Sequence, residues 1–481
     1  MVIILVNISS VKICSVNVGG LFMFVGREKE IERINRFISK RGALIVYGLR
    51  RVGKTTLIKK ALGDKKIKFV YFECQKANEK TNVDLFVDLL KESISFTDAS
   101  FPSFLALFKE LNQRYKDYVF VIDEYSYMKE YYLESKKSKS KLEAQRIDSE
   151  FQNIIDDYLT NNNLILSGSS IYIMEKLMDH ESPLYGRFVG SIVLKQFTYL
   201  EAKMMLPSLT DNDLIAFYSV FGGSPYVLER INQQKNLKDN ICELLLNEDG
   251  KLRNHLKNNV INELESDPDL HEILNVIKNG CKKYNEIENQ SHITTSGLLD
   301  KRLKKLLDLD IIEAKYLIGR EDDKRKKYYE IKDNLLKFYY AYVFRQDNKM
   351  NFLGEERFYE LFIEPSIKTY ISHRFESIVK SYFSESIKRG YNRDIVEVGT
   401  FFFDNNEYDC VAKKIDGTYV FFEVKYYSKP MKRDEMEKEM EQLKNVKGLK
   451  VSQIGFVCNA GFEEKLPNVI YLDLADFFFK S

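Results

Sequence analysis

Apolar residues in this chain follow two rhythms. Short unbroken runs at Ala43–Tyr47 (ALIVY), Tyr118–Ile122 (YVFVI) and Asn163–Leu166 (NLIL) predict buried strands, because a strand covered on both faces needs no polar alternation. Further strands are predicted near residues 67 and 191, with helical spacing between the strands. Alternating strand and helix predicts the α/β class with a doubly wound parallel sheet. From Asp211 to Gly250 the pattern becomes helical throughout, as in a small lid. From Asp267 to about Phe344, two short helical stretches precede Thr294-Thr295-Ser296-Gly297 and the periodic run Leu298–Leu309. Ile311-Ile312-Glu313 and Lys327–Ile331 then read as a hairpin, so the whole segment predicts a winged helix. From about Ile367 the order is helix, three strands (394–403, 407–414, 419–425), helix (433–446) and strand (451–459).

The length of 481 residues predicts about three domains. Net charge is +2, which excludes attachment to nucleic acid or lipid by bulk charge and makes any basic footprint local. With 23 Gly and 8 Pro, long flexible linkers are not expected, and the domains should abut. Six scattered cysteines form no CxxC pair, and with five histidines no structural zinc centre is expected. Isolated thiols in a charged chain point to the reducing cytoplasm. Met1–Val25 is apolar but lacks a basic start and is broken by Asn7, Ser9, Ser10, Lys12 and Asn17. Residues 1–22 therefore read as an extension before a folded unit that starts at Met23, and no run predicts a membrane span.

The densest chemistry lies at Gly48-Leu49-Arg50-Arg51-Val52-Gly53-Lys54-Thr55, a full match to GxxxxGK[ST] between a predicted strand and the helix that begins near Thr56. Such a loop wraps backbone N–H groups round phosphates at a helix N-terminus, and Lys54 reaches the β and γ oxygens. Thr55 offers its hydroxyl to Mg²⁺. Some 70 residues on, a strand ends in Asp123-Glu124. Asp123 suits Mg²⁺ there, and Glu124 suits the attacking water as its base. Ser167, ending the strand that follows, reads either as a γ-phosphate sensor or as part of a strand-to-helix turn with a Ser cap.

The C-terminal segment holds a second candidate centre. Its strand order is similar to the core of PD-(D/E)xK nucleases. In such a core two carboxylates meet on a divalent cation while a lysine positions water. Asp409, Glu423 and Lys425 supply these groups, with Glu376 and Gln442 as outlying candidates. Glu423 and Lys425 lie two apart on one strand face. A nuclease requires Asp409 opposite Glu423, hence a three-residue loop Ile415-Asp416-Gly417 with Gly417 left-handed; a two-residue loop would set Asp409 on the other face. That module would carry a second Mg²⁺ or Mn²⁺.

Phe24-Val25-Gly26-Arg27-Glu28, Leu164–Ser170, Ser182-Pro183-Leu184-Tyr185-Gly186-Arg187 and Gly222-Gly223-Ser224-Pro225 give the chain from Met23 onward a wider likeness. It resembles the archaeal-type ATPases, AAA+/STAND-related proteins whose C-terminal domain is often nuclease-like. The resemblance implies ATP as ligand, Val25 and Gly26 lining the adenine pocket, Pro225 of the lid touching the base, and Arg187 as an arginine finger or sensor. Its alternative for Arg187 is a structural turn residue. The expected organisation is extension 1–22, P-loop core 23–205, helical lid 206–265, winged helix 266–345 and nuclease-like domain 346–481. Lys301, Arg302, Lys304 and Lys305, with Lys324, Arg325, Lys326 and Lys327 on the wing, read either as a contact to double-stranded DNA or as solvation of a protein-binding winged helix. Three functions stay open. One is an ATPase coupled to a nuclease-like domain acting on DNA. Another is an ATP-dependent switch or scaffold with an inactive nuclease-like domain. The third is a sequence-specific DNA-binding regulator working through the winged helix alone, and each admits oligomers.

Overall fold

A computed structural model describes residues 15–18, 21–96, 99–134, 140–258, 264, 267–278, 280, 282–293, 295, 297–318, 327–403, 406–443, 446 and 448–479. The chain divides into two compact units, Met1–Gln196 and Phe197–Ser481. Among the described residues no helix is long and apolar enough to cross a membrane.

In the first unit a short hairpin, β1 (Ser15–Val18) with β2 (Leu21–Phe24), precedes the main sheet. The apolar runs become its strands: β3 (Gly42–Tyr47), β4 (Lys68–Glu73), β5 (Tyr118–Asp123), β6 (Asn163–Gly168) and β7 (Phe188–Val193). They lie parallel in the order β4-β5-β6-β3-β7. Successive residues feed opposite faces, as the period of a strand demands. Ala43, Ile45 and Tyr47 join Phe120, Ile122, Leu164 and Leu166 on one side. Leu44 and Val46 join Val119, Val121, Ile165 and Ile192 on the other. Helices Glu79–Ile94 and Phe104–Arg114 bury Phe86, Leu90, Phe104 and Phe108 against the first face. Helix Lys54–Asp64 buries Leu57, Ile58, Ala61 and Leu62 against the second. Each such side chain contributes about 1.5–3 kcal/mol, so both faces are firmly closed. The C-terminal strand ends are left as the edge from which loops project, where ligands of parallel sheets bind.

The second unit begins nine residues before the boundary expected after residue 205. Helix Tyr199–Met205 belongs to it for a physical reason. Tyr199 and Ile215 are fully buried in one apolar core with Phe375, Ile378, Tyr382, Phe422, Val457 and Phe477, and the Tyr199 hydroxyl donates to the Phe477 carbonyl at 2.9 Å. Helices Tyr199–Met205 and Asp211–Phe221 thus share one core with the C-terminal sheet, across the expected boundaries.

Helices Pro268–Ile277, Tyr284–Ser291 and Leu298–Asp308 surround a small sheet of β8 (Lys282–Lys283), β9 (Ile312–Lys315) and β10 (Tyr328–Ile331), ordered β8-β10-β9. The hairpin expected there forms, with Ile312 opposite Ile331. Thr294, Ser296 and the basic residues Lys324, Arg325 and Lys326 lie outside the described residues. One buried carboxylate fastens this region to the next. Glu330 on β10 accepts from Lys315 at 2.5 Å, from Arg374 at 3.0 Å and from Lys337. Lys337 and Arg374 are buried and lie on helices Asn334–Phe338 and Glu364–Lys388.

The C-terminal sheet runs β11 (Ile395–Phe403), β12 (Asn406–Lys414), β13 (Tyr419–Lys425), β14 (Val451–Cys458) and β15 (Val469–Leu472), in that order. The first three strands form an antiparallel meander, and helix Arg433–Leu443 carries the chain to a parallel β14. The β12–β13 hairpin closes on a three-residue loop: Lys414 N–H donates to the Thr418 carbonyl at 2.8 Å, and Gly417 takes φ 79°. A residue with a Cβ is strained in that left-handed region, which is why Asp-Gly selects this turn. The paired residues run from Lys413–Tyr419 to Cys410–Phe422, the register that a nuclease requires.

Candidate functional site at the sheet edge

At the end of β3 the chain must turn sharply beside the neighbouring strand. Gly48 takes φ 154°, and a Cβ there would stand 2.1 Å from the Leu194 carbonyl oxygen, so only glycine fits. Arg51 and Gly53 are also left-handed, at 67° and 93°. The loop thereby curls back on itself and delivers Gly53 to the cap position of helix Lys54–Asp64. Backbone N–H groups and the helix dipole at such a helix start favour an anion there.

Lys54 is buried beneath the loop. Its ammonium donates to the carbonyls of Gly48 at 2.9 Å and Leu49 at 3.1 Å, with Glu124 Oε1 at 4.0 Å. Burial pulls its pKa below the ordinary lysine value, against the opposing pull of Glu124 and Asp123. A cation held at the edge of desolvation is one that an incoming phosphate would stabilise. Arg50 reaches outward, its guanidinium 5.2 Å from the Tyr127 ring centre. Val52 is buried in the core beneath, and Thr56 is also buried.

The Asp123-Glu124 pair reaches this edge from β5. Thr55 Oγ1 donates to Asp123 Oδ2 at 3.0 Å. Tyr71 on β4 donates to the same carboxylate oxygen, and its hydroxyl lies 3.1 Å from Thr55 Oγ1. Burial first, then the Asp123 charge, raises the Tyr71 phenol well above its ordinary pKa, so it acts as a donor. Glu124 has a left-handed backbone, φ 49°, and its N–H donates to Asp123 Oδ1 at 3.0 Å. Its carboxylate accepts from Ser169 N–H at 2.9 Å and from Ser169 Oγ at 2.7 Å.

Ser167 sits inside β6, fully buried, and its hydroxyl meets no hydrogen-bond partner among the described residues. The cap of the following helix is Ser170, whose side chain does not bond the helix end. Ser169, two residues past Ser167, is the hydroxyl that meets Glu124. The Ser167–Ser170 turn is legible in the sequence, but which of its hydroxyls meets Glu124 is not, and Tyr71 carries no motif. Both were hidden because only strand pairing sets their height at the edge.

Val25 is buried and Gly26 is left-handed at φ 68°, just before helix Glu28–Ile38. Pro225 opens helix Pro225–Leu228 in the second unit. Arg187 is not brought to the nucleotide edge of its own sheet. It immediately precedes β7, whose Phe188 pairs with Ala43 at the start of β3. At about 3.3 Å per residue, that is roughly 20 Å from the P-loop end. There its guanidinium donates to Asp156 at 2.9 and 3.2 Å and to the Pro183 carbonyl at 2.8 Å.

In the second unit Lys425 and Glu423 form an ion pair at 2.6 Å, and Glu439 lies 3.5 Å from the same ammonium. Burial raises the Glu423 pKa from its ordinary glutamate value, against Lys425, while Glu439 and Glu376 push it further up. Glu376 therefore does belong to this neighbourhood, whereas Gln442 is exposed on helix Arg433–Leu443. The backbone of Asp409 lies in β12, one residue beyond the last pair with β13, and its side chain is outside the described residues. At this point β12 advances from Val411 to Tyr408 while β11 advances from Gly399 to Phe401, a bulge centred on Asp409 and Cys410. Among the described residues no group of three or more His, Cys, Asp or Glu side chains is placed to hold a metal ion. On helix Leu298–Asp308, Arg302 is already paired with Asp267 at 2.9 Å and Asp269 at 3.5 Å, while Lys301 and Lys304 are exposed.

Comparison with known proteins falls in line with this geometry. Residues 24–231 match the model of an ATPase domain predominantly from Archaea. Residues 339–439 match a family of archaeal and bacterial proteins of unknown function. An uncharacterized protein of Methanocaldococcus jannaschii is 26% identical over 412 residues, covering 84% of this chain and 88% of its own length. A short uncharacterized ATP-binding protein of the same archaeon is 49% identical over 57 residues, 11% of this chain and 97% of its own. The structure of a Walker-type ATPase of Pyrococcus abyssi overlaps with a TM-score of 0.49 at 18% identity, covering 68% of this chain and 97% of that one. The loop from Gly48 to Thr55 and the β5 carboxylates lie inside the stretch matched by the first of these families, so residues 24–231 form an archaeal-type P-loop ATPase domain.

Proposed function

We propose that the chain binds ATP with Mg²⁺ and hydrolyses it, and that its nucleotide state governs the action of the second unit. The observation that carries this reading is the meeting of Lys54, Thr55, Asp123 and Glu124 at one sheet edge. The residues fit both groups. Loop N–H groups and Lys54 suit phosphate oxygens, and the hard oxygens of Thr55 and Asp123, 3.0 Å apart, suit a cation that prefers oxygen ligands. Mg²⁺ held there would neutralise charge on the β and γ oxygens. In hydrolysis a water oxygen bonds to the γ phosphorus as the bond to the β–γ bridging oxygen breaks. ADP departs, and Glu124 takes the water's proton. Val25 and Gly26 are assigned to the adenine. Arg187, at the far end of its own sheet, is assigned to the nucleotide of a neighbouring copy. The short ATP-binding relative supports the reading. Phosphate release from ATP should appear with Mg²⁺ and vanish in EDTA; release no faster than the enzyme-free blank overturns hydrolysis.

For the second unit we propose a winged helix followed by a PD-(D/E)xK-like module acting on duplex DNA. The element order, the Gly417 turn and the Glu423–Lys425 pair support it. With Arg302 tied to Asp267 and Asp269, a DNA contact from that helix rests on Lys301, Lys304 and Lys305. Plasmid nicking should require Mg²⁺ or Mn²⁺ and be lost in Lys425→Ala. Intact plasmid alongside undiminished ATP binding would instead make the chain an ATP-driven switch with an inactive nuclease-like module.

A further inference from the structure

The structure assigns to Tyr71 the role of a gate on the Mg²⁺ position, its hydroxyl capping the Thr55–Asp123 pair until a cation displaces it. The inference rests on the proposed ATP-Mg²⁺ site and names a residue that sets its metal demand. Three oxygens form a closed group there: Asp123 Oδ2 accepts from both Thr55 and Tyr71, and the two hydroxyl oxygens are 3.1 Å apart. The carboxylate oxygen facing Thr55 is thus saturated by two donors. A cation, or a water bound to it, needs the same lone pairs.

Tyr71 is built for this position. It rises from β4, whose Glu73 is level with Asp123 on β5, so a side chain two residues lower needs the length of a phenol to reach the carboxylate. The ring packs on the face that carries helix Lys54–Asp64, and the Lys59 ammonium sits 4.4 Å from its centre. Ring and cation hold the hydroxyl in place, and phenylalanine would keep both contacts while deleting the cap. A hydrogen bond to a charged group shifts an equilibrium roughly ten- to a hundredfold. Deleting it withdraws stabilisation from the cation-free arrangement alone, and Mg²⁺ should bind more readily.

The test is binding of a fluorescent ATP analogue to the full chain, titrated with Mg²⁺ from an EDTA-treated start. Wild type should gain affinity as Mg²⁺ rises, and the midpoint for Tyr71→Phe should fall roughly tenfold, the lower end of that hydrogen-bond range. Thermal unfolding with Mg²⁺ and without nucleotide gives a second reading, in which Tyr71→Phe should respond at lower Mg²⁺ than wild type. If wild type itself shows no Mg²⁺ response, the proposed site fails. If wild type responds and Tyr71→Phe titrates at the same or higher Mg²⁺, the gate fails and the site stands.

Discussion

Glu124→Gln is expected to bind ATP as wild type does and to release phosphate about 10²–10⁴-fold more slowly, the usual contribution of a general base. The amide keeps the side chain's size and an oxygen that can accept from Ser169 N–H and Oγ, the contacts that fix the carboxylate at 2.9 and 2.7 Å. The backbone is also retained, including the left-handed φ of 49° that turns the residue away from the strand axis. A non-glycine residue there costs about 1–2 kcal/mol, strain of the kind that collects at working sites. What is lost is the capacity to hold water's proton. Single-turnover release with saturating ATP separates the two outcomes, and an unchanged rate would remove Glu124 from the chemistry.

Glu330→Gln is expected to destabilise the second unit by about 3–5 kcal/mol, because it strands two buried cations. Lys337 and Arg374 are 2% and 5% exposed, and Glu330 is the carboxylate both of them contact. The calorimetric transition of the second unit should then move down by roughly 10 °C. A companion variant tests the cause. Glu330→Leu with Lys337→Met and Arg374→Met removes all three charges together, and buried ion groups replaced this way often lose little. Its transition should lie near wild type. If Glu330→Gln melts with wild type, the network does not brace this unit.

The parts that reached the surface of the sequence are those fixed locally. YVFVI and ALIVY can hardly be anything but covered strands, and GLRRVGKT demands its turn because a Cβ at Gly48 has nowhere to go. The Ile415-Asp416-Gly417 loop was one of two turns that the sequence left open, and the Lys414–Thr418 hydrogen bond with the left-handed φ of Gly417 selects it. What stayed hidden depends on pairing between distant segments. Tyr71 meets Asp123 because β4 and β5 pair with Glu73 beside Asp123. Arg187 sits in a motif that suggests phosphate, yet a parallel register places it at the opposite end of the strands. Arg302 looked like a helix cation turned to solvent until Asp267 and Asp269 folded beside it. Tyr199 falls within the expected core 23–205, and only the buried core it shares with Phe477 puts it in the second unit.

Equilibrium binding of labelled ATP to wild type and to Lys54→Ala, in Mg²⁺ and matched for fold by circular dichroism, bears most directly on the central claim. Lys54 is the one side-chain cation buried under the Gly48 loop among the described residues. Loss of charge-assisted contacts to two phosphates should weaken binding about a hundredfold or more. Equal affinity in the two proteins, or no retained nucleotide in wild type, would contradict a triphosphate site between Gly48 and Thr55.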